Sequence, residues 1–305
     1  MSAAAAAATG NQTFEPGEGT MTIETSTLPP ADPEVLGKAI ETLRLYCGVV
    51  LLSFAKYEQG LREVIARNFV ARGMSCTESI FIVWKNGSEQ DAWILHRALL
   101  DRLLHLHYLG ETNEFSEFEE YSFLSMYEAR HQLLSDPDMK NKLPPSLKEF
   151  QKSNRAKYHE IAQKESRWQR PKAETIAKKM DLGFLYRFGY DYASTHVHPM
   201  ATDGEADFRR LISPPHGFVP PDTTVVRNSV LIQSMLVQEA LNVSRLRWRN
   251  ILYDFLNHIR VFVGSGDPQF HATFHRIAQI WPDSELCEPT ASEGTSENAS
   301  GHPSI

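Results

Sequence analysis

The chain has 305 residues, 42% of them hydrophobic, and a formal net charge of −7, so it is long enough to bury a substantial core. The two ends hold the acidity: residues 1–32 carry −4 and residues 283–305 carry −5, each without Lys or Arg, which leaves +2 for residues 33–282 with His neutral. This near-neutral middle excludes the strongly basic balance of a typical DNA-binding domain.

Both ends lack the pattern of a folded segment. The first residues, MSAAAAAATGNQ, have no basic or Leu-rich stretch of a secretory signal, and the last, EPTASEGTSENASGHPSI, have no apolar face. We therefore predict disordered tails at 1–32 and 283–305. No run approaches the roughly 18 apolar residues of a membrane helix. The three cysteines, Cys47, Cys76 and Cys287, are widely spaced without a CxxC motif, which favours a reduced cytoplasm.

Helical spacing of apolar residues dominates between the tails and predicts a single all-α domain at 33–282, a helical bundle of long antiparallel helices. In chain order the predicted helices are 33–70, 77–85, 88–109, 114–134, 146–163, 173–180, 182–198, 223–263 and 267–280. Arg72 and Gly73 end the first helix, and Asn86-Gly87 closes the second. The sequence shows no convincing strand pair, no Gly-rich phosphate loop and no fixed-period repeat.

One polar stripe crosses the third predicted helix, which is otherwise strongly apolar. Arg97, Asp101 and His105 fall within about 80° on one side, and Leu side chains cover a wide arc elsewhere. Arg97 and Asp101 are four residues apart and can form a structural ion pair. Alternatively, the carboxylate holds the guanidinium toward an anion. His96 and His107 lie in the Leu arc, where we predict packed, neutral rings.

A second polar stripe comes later in the chain. Tyr186, Tyr190, Ser194 and His198 are spaced four apart, so an α-helix at 182–198 would place them on one side. These groups either satisfy hydrogen bonds between packed helices or form a site in which the terminal imidazole exchanges protons. If the two stripes face each other, they form one polar cluster inside the protein.

A metal site built from Asp101, His105, His196 and His198 is a further alternative. Its weakness is the spacing: His196 and His198 are two apart, so a helix points them away from each other, and the chain has no HExxH motif or paired ExxH spacing. Nucleophilic catalysis has less support, since no GxSxG motif surrounds Ser194 and the cysteines lack a basic context.

The segments HRALLDRLLHLHYL and LGFLYRFGYDYASTHVHP, with Trp168 and a TIA sequence between them, occur in a characteristic order. This order resembles a little-studied bacterial family catalogued as domain of unknown function 5677, over residues 40–265. The recurring elements of that family correspond here to Arg97, Asp101, Trp168, Tyr186, Tyr190, Ser194 and His198. The chain departs from the family pattern at Asp101, where Glu is commoner, and at Pro199, where Gly often follows the His.

The resemblance implies a helical fold but no established activity. The Arg-and-His character of the family is similar to that of HEPN-type nucleases of bacterial conflict systems, whose signature is Arg, four to six residues, then His. Arg102 with His107 fits this spacing, as do Arg209 and Arg210 with His216. With 12 His in the chain, chance matches are expected, so the likeness stays at the level of the fold.

The sequence therefore predicts a helical protein of the domain-of-unknown-function 5677 type, whose polar cluster binds an anionic ligand or partner. In the predicted site Arg97 binds phosphate beside Asp101, His198 exchanges protons, and Tyr190 and Ser194 orient it. The alternatives are an HEPN-like ribonuclease of a bacterial defence or toxin system, a helical metalloprotein, and a scaffold domain in which both stripes only specify packing. No cofactor is expected, RNA or a small anion is the candidate partner, and homodimer formation and enzymatic activity are left open.

Overall fold

The computed structural model describes residues 32–57, 60–139, 142–164, 168–197, 201, 204–212, 222–246, 249–265 and 268–285. Within these ranges every regular element is helical, which confirms the predicted all-α class. None of the described helices combines the length and the apolar character needed to cross a membrane. The predicted N-terminal tail before Asp32 and the predicted C-terminal tail after Glu285 lie outside the described residues.

The helices are numbered in chain order, and a π-helical segment interrupts them once. They are α1 (Pro33–Tyr57), α2 (Leu61–Lys85), α3 (Glu89–Thr112), α4 (Phe115–Ser135), α5 (Pro145–Ala162), α6 (Ala173–Lys179), α7 (Gly183–Leu185), the π-helical segment (Tyr186–Asp191), α8 (Tyr192–Thr195), α9 (Glu205–Ile212), α10 (Thr224–Val243), α11 (Arg249–Ser265) and α12 (Pro268–Glu285). α12 therefore continues into the segment predicted as a tail from residue 283.

Three helices, α2, α3 and α10, form the centre of the core. A short turn with Gly87 at a φ of 83° reverses the chain between α2 and α3, so these helices run antiparallel. α10 packs across both, and Leu99 and Leu103 of α3 and Leu236 of α10 are fully buried. α1, α11 and α12 pack around this centre. Burial of these apolar side chains is the main contribution that favours folding.

Gly73 does not end a helix, contrary to the sequence prediction. α2 runs through it, because Gly73 lies where α10 approaches most closely: a Cβ atom there would be 2.3 Å from Gln233 Oε1 and 2.5 Å from Leu236 Cδ2. The helices predicted at 33–70 and 77–85 are therefore wrong, and the break comes between α1 and α2. The glycine marks a tight helix crossing instead of a helix end.

The single long helix predicted at 223–263 is also wrong, since the chain turns between α10 and α11. α10 ends because Ser244 has an extended backbone with a ψ of 161°, and both its backbone N–H and its hydroxyl donate to the Leu241 carbonyl, at 3.1 Å and 2.9 Å. The turn brings α11 back against α1, where the Tyr46 hydroxyl donates to the Leu252 carbonyl at 2.7 Å.

The hairpin of α4 and α5 has a small apolar cluster of its own. The buried members of this cluster are Phe123, Leu124, Tyr127 and Ile161. The hairpin joins the main core through the start of α4, where the ring centroid of Phe118 is 5.8 Å from that of Phe69 on α2. The hairpin is thus a satellite of the α2–α3–α10 core.

Candidate functional site

The segment predicted as one α-helix at 182–198 contains a π-helical turn, so that prediction is wrong in its geometry. α7 leads into the π-helical segment, and α8 ends at Thr195. Gly189 in this segment lies against the ring of His96 on α3, where a Cβ atom would be 2.8 Å from His96 Cε1. The wider turn places a residue without a side chain at the crossing with α3. Such turns are frequent at functional sites.

The two polar stripes meet at Arg97 and Tyr190. The guanidinium lies over the Tyr190 ring, with 4.6 Å between Cζ and the ring centroid, and Nη2 donates to the Tyr190 hydroxyl at 3.3 Å. Tyr186 stacks on Tyr190 with 5.0 Å between the ring centroids and 14° between the ring planes. The two stripes therefore touch, which their spacing alone left open, although the second stripe is not purely α-helical.

Asp101 faces a residue that sequence reasoning missed. Arg170 Nη2 lies 3.9 Å from Asp101 Oδ2, whereas Arg97, the partner that the spacing favoured, contacts Tyr190. Arg170 Nε also donates to His105 Nε2 at 2.9 Å. His105 Nδ1 lies 2.6 Å from the Asp101 carbonyl oxygen, which can only accept a hydrogen bond. The imidazole proton is therefore on Nδ1, and the Nε2 lone pair accepts from Arg170.

His105 is a neutral histidine that positions Arg170. Its side chain is buried, and burial lowers its pKa. The hydrogen bond with the Asp101 carbonyl opposes this by raising the pKa, and the positive charge of Arg170 lowers it. Neutrality matters because a protonated imidazole has no lone pair to accept the Arg170 N–H and would repel the guanidinium. The side chain of Arg170 is itself 57% exposed, so its terminal nitrogens are accessible.

A cleft of about 480 Å³ opens beside this cluster, between α3 and α4. Its lining residues are Phe69, Ala98, Asp101, Arg102, His105, Phe118, Tyr121, Ser122, Ser125 and Arg170. Two guanidinium groups and one carboxylate, with the imidazole neutral, give the lining a net charge of +1. Three aromatic rings supply an apolar part. The cleft can therefore hold an anion that carries a hydrophobic portion.

Trp168 fixes the segment that carries Arg170. Its indole Nε1 donates to Glu114 Oε2 at 2.8 Å, and the same oxygen accepts from the Tyr108 hydroxyl at 2.9 Å. The indole ring also packs against Tyr121, with 5.0 Å between the ring centroids. The family resemblance pointed to Trp168, but Arg170 follows it in a segment without helical periodicity. No sequence pattern marked this arginine.

Those remaining residues of the predicted site that the structure describes do not line the cleft. The Ser194 hydroxyl donates to the Tyr190 carbonyl at 2.6 Å, which satisfies it within its own segment. His198, the predicted proton exchanger, lies outside the described residues, so its role stays a prediction. Of the suggested metal ligands, His105 faces Arg170 and His196 lies against Tyr192, and no group of three His, Cys, Asp or Glu in the described part of the chain could hold a metal ion.

The two histidines of the Leu arc have opposite surroundings. His96 is fully buried, and burial lowers its pKa to about 4, which confirms the predicted neutral ring. His107 is not packed among Leu side chains as predicted: it lies between Glu239 and Glu111, each 3.3 Å from a ring nitrogen, and the Glu239 carboxylate raises its pKa. His107 thus contacts α10, whereas Arg102 lines the cleft, and the nuclease-like spacing does not create a shared site.

A family model described as Family of unknown function (DUF5677) matches residues 63–211. No curated protein and no solved structure matches the chain. The matched range is narrower than the 40–265 of the resemblance, but it contains both stripes, the Arg170 cluster and the whole cleft lining. It ends before α10, the helix that completes the core with α2 and α3.

Proposed function

We propose that this chain, which belongs through residues 63–211 to the family of unknown function DUF5677, binds a small anionic ligand in the cleft between α3 and α4. The observation that carries the proposal is the anchored guanidinium of Arg170, whose Nε is held by His105 at 2.9 Å. A guanidinium that is held by Nε leaves Nη1 open to a ligand, and Nη2, which lies 3.9 Å from Asp101 Oδ2 and so beyond hydrogen-bond distance, still has its N–H groups to donate. These nitrogens form the planar fork that binds carboxylate and phosphate groups in a bidentate manner.

The lining restricts the kind of anion. Its net charge of +1 balances one negative charge, and Phe69, Phe118 and Tyr121 can cover an apolar surface. The volume of about 480 Å³ is that of a small-ligand site. We therefore expect a carboxylate or phosphate attached to a small apolar or aromatic body. The Asp101 carboxylate in the same lining is an acceptor for a hydroxyl or amine of that ligand.

Arg97 and Tyr190 have a supporting role in this proposal. Arg97 lies one helical turn of α3 away from Asp101, neither side chain lines the cleft, and their contact holds the π-helical segment against α3. We expect Arg97→Ala to loosen that contact and to leave anion binding in place. An anion that binds wild type but not Arg97→Ala would instead restore Arg97 as a ligand residue.

Thermal melts with phenyl phosphate, benzoate and inorganic phosphate test the proposed function. Phenyl phosphate or benzoate should raise the melting temperature of the wild type, and Arg170→Ala should lose most of that shift. Arg44→Ala is the matched control, because the Arg44 side chain is 58% exposed and lies 3.6 Å from Glu78, but belongs to α1. Equal shifts in the two variants, or no shift with any of the three anions, would contradict the proposal.

We further propose that the protein works in the reducing cytoplasm of a bacterium. Cys47 and Cys76 are free thiols, and both are buried. Such thiols suit a compartment in which disulfides do not form. Fractionation of bacterial cells that express the tagged chain should recover it with cytoplasmic markers, and recovery with periplasmic markers would contradict this location.

A further inference from the structure

The α4–α5 hairpin carries a second concave surface, which we name the basic groove. Its lining residues are Tyr127, His131, Leu134, Lys148, Gln151, Lys152, Arg155, Tyr158 and His159, and its volume is about 640 Å³. At about 100° per residue, Tyr127 and His131 lie on roughly the opposite side of α4 from Tyr121 and Ser125, which line the cleft. Three of the described lining residues are Lys or Arg, and none is Asp or Glu.

The Lys and Arg side chains of α5 and of the residues after it form two sets, which lie on different sides of the helix. On one side, Lys157 Nζ is 3.2 Å from Glu119, and Lys164 Nζ is 2.5 Å from Glu120. Both acidic partners belong to α4, so these two pairs join the arms of the hairpin. Their charges are therefore already compensated within the protein.

The cations on the groove side of α5 are not compensated in this way. Lys148, Lys152 and Arg155 are four and three residues apart, so they form a row of about 10 Å along one side of the helix. In the part of the chain that the structure describes, no carboxylate is within ion-pair distance of these three side chains, and Arg155 Nε contacts His159 Nε2 at 3.4 Å. The row keeps a positive potential over the groove.

Flat rings lie in the same groove. Tyr127 and Tyr158 stack with 4.2 Å between the ring centroids and 15° between the planes. The His131 ring continues this arrangement, with 6.4 Å between its centroid and that of Tyr127 and 17° between the ring planes. The side chain of His131 is exposed. A nearly parallel set of rings with an exposed imidazole at its end is a surface on which bases can stack.

We propose that the basic groove binds a single-stranded nucleic acid. A row of separate cations matches the successive phosphates of a strand, whereas one compact anion would need donors that converge on a point. The stacked rings favour nucleic acid over an acidic peptide, because the peptide offers no bases to stack. Binding of this kind depends little on base sequence, since stacking and phosphate contacts do not read base edges.

Fluorescence anisotropy with a labelled oligouridine RNA tests this inference. The variant Lys148→Ala/Lys152→Ala/Arg155→Ala removes three exposed side chains, so a circular dichroism spectrum like that of the wild type is expected. The variant should bind at least about tenfold more weakly. The slope of the logarithm of the association constant against the logarithm of the salt concentration should become shallower by about 2. Each of the three lost phosphate contacts contributes about 0.7 to that slope.

The matched control is Lys157→Ala/Lys164→Ala, which removes two cations from the same hairpin on its paired side. This variant should keep its affinity within about twofold, because exposed paired charges contribute little. Equal weakening of both variants would show an effect of net charge alone and would overturn the proposal, as would a wild type that does not bind oligouridine at low salt.

A further variant separates nucleic acid from acidic peptide. His131→Ala removes an exposed ring and should weaken oligouridine binding, while binding of polyglutamate should be weak in the wild type and unchanged by the substitution. Polyglutamate that binds as tightly as the RNA would assign the surface to an acidic peptide instead. Arg170→Ala should bind oligouridine like the wild type, and the triple variant should keep its phenyl phosphate shift, so the two sites can fail independently.

Discussion

The cleft beside α3 and the basic groove of the hairpin lie on roughly opposite sides of α4, and they use similar residue types in different ways. In the cleft, Arg170 is held by His105 and faces Asp101. In the groove, Lys148 and Lys152 extend from an exposed side of α5 without an ion-pair partner among the described residues. The cleft depends on contacts between residues distant in sequence, and the groove depends on helical spacing within one short segment.

This difference bears on what each surface can select. A guanidinium with a fixed direction loses little freedom on binding, so it suits a small ligand of defined shape. Lysine ammonium groups on flexible side chains adapt to a variable strand of phosphates. The two surfaces are also held by different parts of the core. The cleft is lined by α3, whose Leu side chains belong to the main core, whereas the groove lies on the hairpin with its small apolar cluster.

The largest expected effect is a loss of stability in the hairpin that leaves the main core unaffected. Tyr127→Ala removes a buried ring that stacks on Tyr158 and should destabilise the hairpin by about 4 kcal/mol. Hydrogen exchange should accelerate in α4 and α5, while amides of α2, α3 and α10 keep their protection. Leu236→Ala, in the fully buried core, provides the reference pattern of loss throughout the protein. The same pattern in both variants would show that hairpin and core unfold as one unit.

The second-largest expected effect is a loss of stability at acidic pH, which arises from His96 on α3, the helix that lines the cleft. His96 has a pKa of about 4 in the folded protein and an ordinary value of 6.5, so between these values the unfolded chain binds a proton that the folded chain does not. The free energy of unfolding should therefore fall as the pH falls through this window, by about 3 kcal/mol from this residue. Urea denaturation at several pH values measures it. His96→Leu should show a shallower dependence, and an unchanged slope would refute this account.

A third prediction concerns the helix crossing beneath α3. Gly73→Ala places a methyl group against Gln233 and Leu236, so it should lower the free energy of unfolding by about 2 kcal/mol. Gly48→Ala on α1 is the control, because its added Cβ would have no atom within 4 Å beyond the neighbouring residues and backbone of its own helix, and a helix favours Ala by about 1 kcal/mol. Urea denaturation of both variants measures these changes. The prediction fails if the two substitutions change the free energy of unfolding in the same direction.

The smallest expected effect concerns the anchor of Arg170. His105→Leu removes the acceptor at Nε2, so phenyl phosphate should bind about tenfold more weakly, a loss of about 1.4 kcal/mol. His105→Gln keeps an acceptor oxygen and should recover part of the affinity, which a purely structural role would not predict. Titration calorimetry measures both values. Identical affinities in the two variants would argue against a positioning role, and oligouridine binding should be unchanged in both.

Local patterns predicted which segments are helical better than they predicted where helices stop. Gly73 was interpreted as a helix end because glycine weakens helices, but its place is explained by α10, which follows far along the chain. α10 ends where the backbone of Ser244 becomes extended, and no Gly or Pro near that residue marks the end in an apolar helical pattern. Similarly, the spacing of Arg97 and Asp101 permits an ion pair, yet tertiary contacts give each residue another partner.

The sequence by itself determined the all-α class and the polar stripe on α3, because both follow from the helical period, a property of neighbouring residues. Only the tertiary structure decided the partner of each polar group. Arg170, 65 residues from His105, reaches the cleft because Trp168 beside it is held by Glu114. Hydrogen bonds and ion pairs form between whichever atoms the fold brings close together, and residues so far apart in the chain leave no periodic trace of their contact.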